Sequence, residues 1–338
     1  MKITRILSIL FTFSVIGFVG LQSGIVEKPG FGVADIGDWD NTDNSEIEIE
    51  SQVWVDNQNP VGLKLEQTRL EYGLEMNKVK LAEGTKEGFN IKEGNQTVKF
   101  HTSLIQDNLQ EWWVSHMKND EKSDVEIPVK VGLTGPIPFT IGETTYTDTV
   151  ETDIEASINS SASQIKGVYE GPKLLEGDSL FSEMSRPQIE VVDAGAGFGE
   201  INNSHTPLIF NLDIKNMNIY PIPEPKFEGS LDLNNVRVAE WDASSRNSGK
   251  TIDPGETEEV SFQIDIDNSK IDDWLLTHVR NQEYSTAELH LRLQFETDYG
   301  SITAPGEESL KCSFGLETAI LEDNQKTGSE LEGCEMPF

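Results

Sequence analysis

The chain has 338 residues, enough for about two domains at the usual ~100–200 residues each. Asp and Glu number 59 against 26 Lys and Arg, a formal charge of −33, so the surface repels phosphate backbones and anionic lipid headgroups and a nucleic-acid partner is excluded. Six Trp, fifteen Phe and regular aliphatic patterning supply enough apolar surface to offset ordering entropy, which excludes disorder along the whole length.

Lys2 and Arg5 precede an uncharged run from Ile6 to Val26 rich in Ile, Leu, Phe and Val. At about 1.5 Å per residue this run just reaches the ~30 Å of a bilayer core. Residues 1–27 are therefore expected to be a single-pass membrane anchor, with Met1 cytoplasmic and the bulk of the chain extracytoplasmic by the positive-inside rule. The alternative is a cleaved signal peptide, with Gly20, Ser23 and Gly24 as small residues for a cleavage site, and a secreted chain. Cys312 and Cys334 are the two cysteines and form a candidate disulfide in an oxidising compartment; two free thiols are the other reading. Asn95, Asn159 and Asn202 head Asn-x-Ser/Thr triplets, which accept glycans if the chain is exported.

Beyond the N-terminus the sequence repeats itself. Lys28-Pro29 through Asp35 returns as Arg186-Pro187 through Asp193, Val53 through Pro60 as Leu212 through Asn218, and Met76 through Glu83 as Leu233 through Glu240. Ile91 and Gly94 match Ile252 and Gly255, Trp112 and His116 match Trp274 and His278, and Glu151 through Ile154 match Glu317 through Ile320. Six matches in order indicate a duplication.

Within each copy, Glu46–Val55, Val125–Val131, Leu208–Ile214, Val260–Ile266 and Glu288–Phe295 alternate polar and apolar residues, the signature of strands with one buried face. Turn residues separate them at Asn57–Pro60, Glu93-Gly94, Asp253-Pro254-Gly255 and Pro305-Gly306. One segment per copy has helical spacing: Leu109, Trp112, Trp113 and His116, and again Ile271, Trp274, Leu275 and His278. Capping signals open each, Asp107 with Gln110 and Ser269 with Asp272. The expected fold is all-β with one helix per domain: two tandem antiparallel β-sandwiches of immunoglobulin-like or fibronectin III-like type at 28–158 and 186–322. A Ser-, Gly- and Lys-Glu-rich linker at 159–185 separates them, and an acidic tail follows at 323–338.

The Lys-Pro opening, the Asn-x-Asn-Pro turn after an alternating strand, the Gly turn before a strand and the single late helix resemble the late-embryogenesis-abundant group 2 domain. That domain is also named for water stress and hypersensitive response. The resemblance covers 28–154 and 186–321; the second copy departs from it with Asn216-Met217-Asn218-Ile219 and a displaced Pro221. It implies a non-catalytic, membrane-anchored extracytoplasmic protein associated with water or salt stress, contacting or protecting envelope components. It also allows a lipid or other hydrophobic ligand held between sheet and helix, in which case Leu109, Trp112, His116, Ile271, Trp274 and His278 form the ligand-facing stripe; packing into the core is the plainer reading. A third reading is a structural envelope component assembling through sheet edges.

Sites with their own chemistry are scarce. Gly195-Ala196-Gly197-Phe198-Gly199 is followed by a segment that cannot open a helix, so it reads as a turn or β-bulge and not a dinucleotide loop. The acidic run Asp35, Asp38, Asp40, Asp43, Glu46 and the stretch Asp265–Ser269 lack the Gly and closing Glu of a calcium loop and read as solvated surface. The five histidines are His101, His116, His205, His278 and His290, with no zinc pairing among them, and Trp112-Trp113 is core or an aromatic platform for carbohydrate or lipid. No enzyme activity, metal or cofactor is expected. Acids on outward positions, as in Glu46-Ile47-Glu48-Ile49-Glu50, describe a hydrated shell suited to a salt-rich prokaryote such as a halophilic archaeon, although 19 Lys against 7 Arg is not a lysine-poor surface.

Overall fold

The computed structural model describes residues 30–40, 47–58, 63–133, 139–168, 173–174, 188–244, 250–297, 300–304, 309–318, 320–321 and 333–335. The apolar run at 6–26 lies outside the described residues, as do Asp43, Glu46 and most of the tail. No described helix is long and apolar enough to cross a membrane. The chain divides into two compact units: Met1–Glu151 with Ala319–Asn324, and Thr152–Thr318 with Gln325–Phe338. Both are built from antiparallel strands.

In the first unit the strands are β1 (Gly30–Asp40), β2 (Glu48–Asn57), β3 (Leu63–Met76), β4 (Val79–Ile91), β5 (Gly94–Leu104), β6 (Lys122–Leu133) and β7 (Phe139–Glu151), with helix α1 (Leu109–Lys118) between β5 and β6. They form one sheet in the order β1-β2-β5-β4-β3-β6-β7. The sheet is joined at its middle by a short seam, Ala82 opposite Leu104 and Glu83 opposite Ser103. Alternation puts Ile47, Ile49 and Val53 of the β2 segment and Leu70, Tyr72, Leu74 and Met76 of β3 inside. A 2.9 Å hydrogen bond between Ser51 Oγ and the Tyr72 hydroxyl ties the two halves across this core. Each fully buried aliphatic side chain contributes about 1.5–3 kcal/mol.

The second unit opens with α2 (Ile154–Ala162) and α3 (Gln164–Val168), followed by β8 (Lys173–Leu174), β9 (Gln188–Phe198), β10 (His205–Asn216), β11 (Ile222–Pro223), β12 (Lys226–Leu233), β13 (Val236–Ser244), β14 (Thr251–Ile252) and β15 (Thr257–Asp267). Helix α4 (Ile271–Arg280) then leads to β16 (Tyr284–Thr297), β17 (Gly300–Ala304), β18 (Leu310–Glu317) and β19 (Gly333–Glu335). One sheet runs β15-β10-β9-β8, a second runs β13-β12-β16-β18-β19 with β17 on β16, and β11 pairs with β14. Phe262 of β15 stacks on Phe210 of its own sheet at 5.1 Å and on Phe227 of the other at 4.1 Å, so an aromatic column joins the layers. Cys312 and Cys334 are disulfide-bonded, fixing β19 beside β18.

Three local expectations are revised. The stretch from 159, expected as linker, begins inside α2: Ile154, Ile158 and Ala162 fall on one stripe of α2 and are buried, as is Ile165 of α3, a period that the Ser-rich composition conceals. The glycine run is not a turn. Gly195 and Gly197 sit in the regular β9–β10 ladder, and a Cβ on either would come within 3.1 Å of the Asn159 or Glu155 side chain of α2, so the glycines admit that helix. The capping signals also move. Each helix is entered through a 3-10 turn, Gln106–Asn108 or Asn268–Lys270, and it is Asp267, two residues before Ser269, whose carboxylate accepts from the Ser269 N–H.

Candidate functional site

The same hydrogen-bonded corner is built once in each unit. It starts at a two-residue hairpin, Asn77-Lys78 between β3 and β4 and Asn234-Asn235 between β12 and β13, where all four residues have positive φ (50° and 68°, 48° and 66°). This is the turn whose twist matches a right-handed hairpin, and Asn tolerates it best after Gly. The Asn side chain then reads the next strand. Asn77 Oδ1 accepts from Asp124 N at 2.9 Å, and Asn234 Oδ1 accepts from Thr286 N at 2.9 Å. Their amide nitrogens donate to Ser123 Oγ at 3.3 Å and Ser285 Oγ at 3.0 Å.

These serines are completely buried, and the helix closes over them. Trp112 donates its indole N–H to Ser123 at 2.9 Å, Trp274 to Ser285 at 2.8 Å, and the Nδ1 atoms of His116 and His278 lie 2.9 and 2.8 Å from the same hydroxyls. A serine oxygen has two lone pairs and one hydrogen. The Trp and Asn donors fill both lone pairs, so the hydroxyl hydrogen must be donated to His Nδ1, which therefore carries no proton. Each imidazole is the neutral Nε2–H tautomer, and Nε2 of His278 donates to Thr318 Oγ1 at 2.8 Å. Burial pushes His116 down to about 4 and His278 down to about 3, in agreement with that assignment.

The helices leave through a second shared strain. Asn119 and Asn281 end α1 and α4, and Asp120-Glu121 and Gln282-Glu283 follow with φ between 53° and 58°. Two successive non-glycine residues in the left-handed region are unfavourable by ~1–2 kcal/mol each, and the corner's bonds offset that cost. A further recurrence lies at the opposite ends of the strands. Asn57 and Asn216 are fully buried and donate to the carbonyls of Lys92 and Ile252, close to Gly94 and Gly255, whose φ values are 79° and 80°.

The six stripe residues thus meet within their own units. Leu109, Trp112, His116, Ile271, Trp274 and His278 are all buried to 4% exposure or less. A cleft of about 410 Å³ opens beside the last turn of α4, lined by Asn234, Asn235, Thr277, Arg280, Asn281, Thr286 and Glu288, and none of the stripe residues lines it. A Ser–His contact of this kind is not a nucleophile in waiting: the serine hydrogen is committed, both groups are sealed from solvent, and no route to a substrate carbonyl exists at zero exposure. Asp265–Ser269 serves as strand end and helix entry, and Asp267 is held below the usual carboxylate range by its hydrogen bond to Ser269. Of the sequon asparagines, Asn159 accepts from Ala196 N and Asn202 accepts from Ser204 N and His205 N.

Sequence reasoning passed over one cluster. On the outer face of β1, β2 and β5, Nδ1 of His101 lies 3.2 Å from Asp40 and 3.8 Å from Glu48, while its Nε2 lies 3.9 Å from Glu50. Lys99 approaches Glu50 at 2.5 Å, and that pairing holds its ammonium above the usual lysine value. Period-2 alternation puts each of these residues on the outer face, but the register that makes Glu50 face His101 and Asp40 face Glu48 is not written in any one strand.

The family model described as late embryogenesis abundant protein matches residues 52–142, all within the first unit, and supports a late-embryogenesis-abundant type 2 domain there. No curated protein matches the chain. Among solved structures, a protein from Archaeoglobus fulgidus is 20% identical with a TM-score of 0.35, the match covering 39% of this chain and 100% of that one. The exo-chitosanase CsxA of Amycolatopsis orientalis is 12% identical with a TM-score of 0.19, over 75% of this chain and 25% of that one, and a biofilm associated protein BSP domain is 8% identical with a TM-score of 0.26, over 84% and 66%. This chain spans about a quarter of the exo-chitosanase, and at these scores none of the three likenesses carries a functional reading.

Proposed function

We propose that the chain is a non-catalytic tandem late-embryogenesis-abundant type 2 protein, held outside a membrane by residues 1–27 and acting in protection against water or salt stress at the cell envelope. One observation carries the tandem reading. The Asn–Ser–Trp–His corner of the matched first unit recurs in the second with the same donors, acceptors and positive-φ turns, bond for bond. The non-catalytic reading is supported by what the corner does with its chemistry: every polar atom of the serine is spent inside the fold.

The stress reading draws on the family match and on the distribution of charge. With 59 acids against 26 bases, the outward strand positions bind water and counterions while the cores stay ordinary. Drying a labile reporter enzyme with the purified chain tests this. More recovered activity than with an equal mass of an unrelated acidic globular protein is expected, and equal recovery would sink the stress role. Protease digestion of intact cells tests the location, since an extracytoplasmic chain is cut and a cytoplasmic one is spared.

A further inference from the structure

We infer that Asp40, Glu50 and His101, with Glu48 beside them, form a binding site for a divalent transition metal of the zinc class that staples the edge strand β1 to β2 and β5. The three named residues can bring one ligand atom each to within 4.8 Å of one another. Around a tetrahedral zinc with bonds of about 2.0 Å, neighbouring ligand atoms sit roughly 3.3 Å apart. Nδ1 of His101 lies 3.2 Å from Asp40 and 3.8 Å from Glu48, close to that spacing, while Glu50 lies 3.9 Å from the other ring nitrogen, so its carboxylate must swing towards Nδ1 to share one metal ion.

The site is made by register. Glu50 stands opposite both Asp38 of β1 and His101 of β5, and Asp40 stands opposite Glu48, so two neighbouring rows of one pleated face converge on a single imidazole. The β1 ladder slips twice on the way, between Val33 and Asp35 and between Asp35 and Asp38, and resumes pairing where these carboxylates face the histidine. One nitrogen with two or three carboxylate oxygens suits zinc, and it is too few oxygens for calcium, which takes about 6–8. Lys99 is a competitor for Glu50 that the metal must displace or share. His101, Asp40 and Lys99 are 42–59% exposed on their side chains, so the site is open to exchange with solvent and its affinity is moderate. Binding would add a cross-link to an edge strand whose pairing is otherwise interrupted.

Titration of the full chain with zinc chloride, in physiological salt and excess magnesium, tests the assignment by calorimetry and by amide hydrogen exchange of β1. The expected result is one equivalent bound, slower exchange at Asp38–Asp40, and a loss of affinity of about tenfold or more in His101→Gln and in Asp40→Asn. His205→Gln and His290→Gln, whose histidines lie elsewhere, should bind as the parent does. If the parent binds zinc no better than magnesium, or if His101→Gln retains full affinity, the site does not exist and His101 is only a hydrogen-bond donor to its carboxylates. All of these side chains are on the surface, so loss of folding does not confuse the result.

Discussion

Ser285 and His278 are joined by a 2.8 Å hydrogen bond in which the serine is the donor, because Trp274 and Asn234 occupy both of its lone pairs. Ser123 stands in the same relation to His116, Trp112 and Asn77. Replacing either serine by alanine strands an indole N–H, an amide N–H and an imidazole nitrogen in the interior at once. Ser123→Ala and Ser285→Ala are each expected to destabilise the unit that holds them by about 3 kcal/mol. Ser261→Ala, which removes an exposed bond to Asn211, should stay within about 0.5 kcal/mol. Urea unfolding of the three variants checks the contrast, and a small effect at Ser285 would mean that water or a neighbour replaces it.

The buried imidazoles make stability depend on pH in a defined direction. Their folded values of about 4 and about 3 lie below the ordinary 6.5, so the unfolded chain takes up protons first. Their contribution is complete above pH 6.5 and is lost as pH falls towards 4 and then 3, by up to ~1.4 kcal/mol per pH unit for each histidine. Urea midpoints between pH 7 and 4 should fall more steeply in the parent than in His278→Asn, which cannot take up that proton. Parallel curves would contradict the buried neutral state.

Two glycines are expected to resist alanine for different reasons. At Gly229 a Cβ would lie 2.1 Å from the His290 carbonyl oxygen and 2.6 Å from the Trp241 ring, so the sheet must deform and the cost should exceed about 3 kcal/mol. At Gly94 there is open space but a φ of 79°, and the cost should be about 1–2 kcal/mol. Thermal melts that rank Gly94→Ala below Gly229→Ala would reverse this account.

Self-repulsion among the surface carboxylates predicts that salt stabilises the chain. Raising salt from low to molar concentration shortens the screening length from ~30 Å to ~3 Å. The melting temperature should rise over that range, and a melting temperature independent of salt would remove the salt-adaptation reading.

How much of this could be read from residues alone depended on whether the signal was periodic or paired. Trp112, His116, Trp274 and His278 announce helices by spacing, and their recurrence is the sequence signal behind the proposed tandem reading. Ser123 and Ser285 also recur, each seven residues after its histidine, but a single serine has no periodic signal of its own and its role emerges only when the folding of β6 or β16 brings it under the helix. Asn77 and Asn234 were visible as part of a repeat, though not as ligands of the serine, since that contact joins residues 46 and 51 positions apart. The His101 cluster needs the register of three strands, and the α2 stripe was hidden by serine-rich composition between its isoleucines. The glycines of β9 looked like a turn because the helix that lies on them is not their sequence neighbour in any readable sense.

The claim on which the tandem, non-catalytic account rests is that both units lock a neutral imidazole under the helix with its proton on Nε2. Long-range proton–nitrogen NMR of the histidine rings tests it most directly. The account predicts that His116 and His278 both show the Nε2–H tautomer at neutral pH, with no titration between pH 8 and 5 while the chain stays folded. A proton on Nδ1, or an ordinary titration near pH 6.5 at either residue, would contradict it.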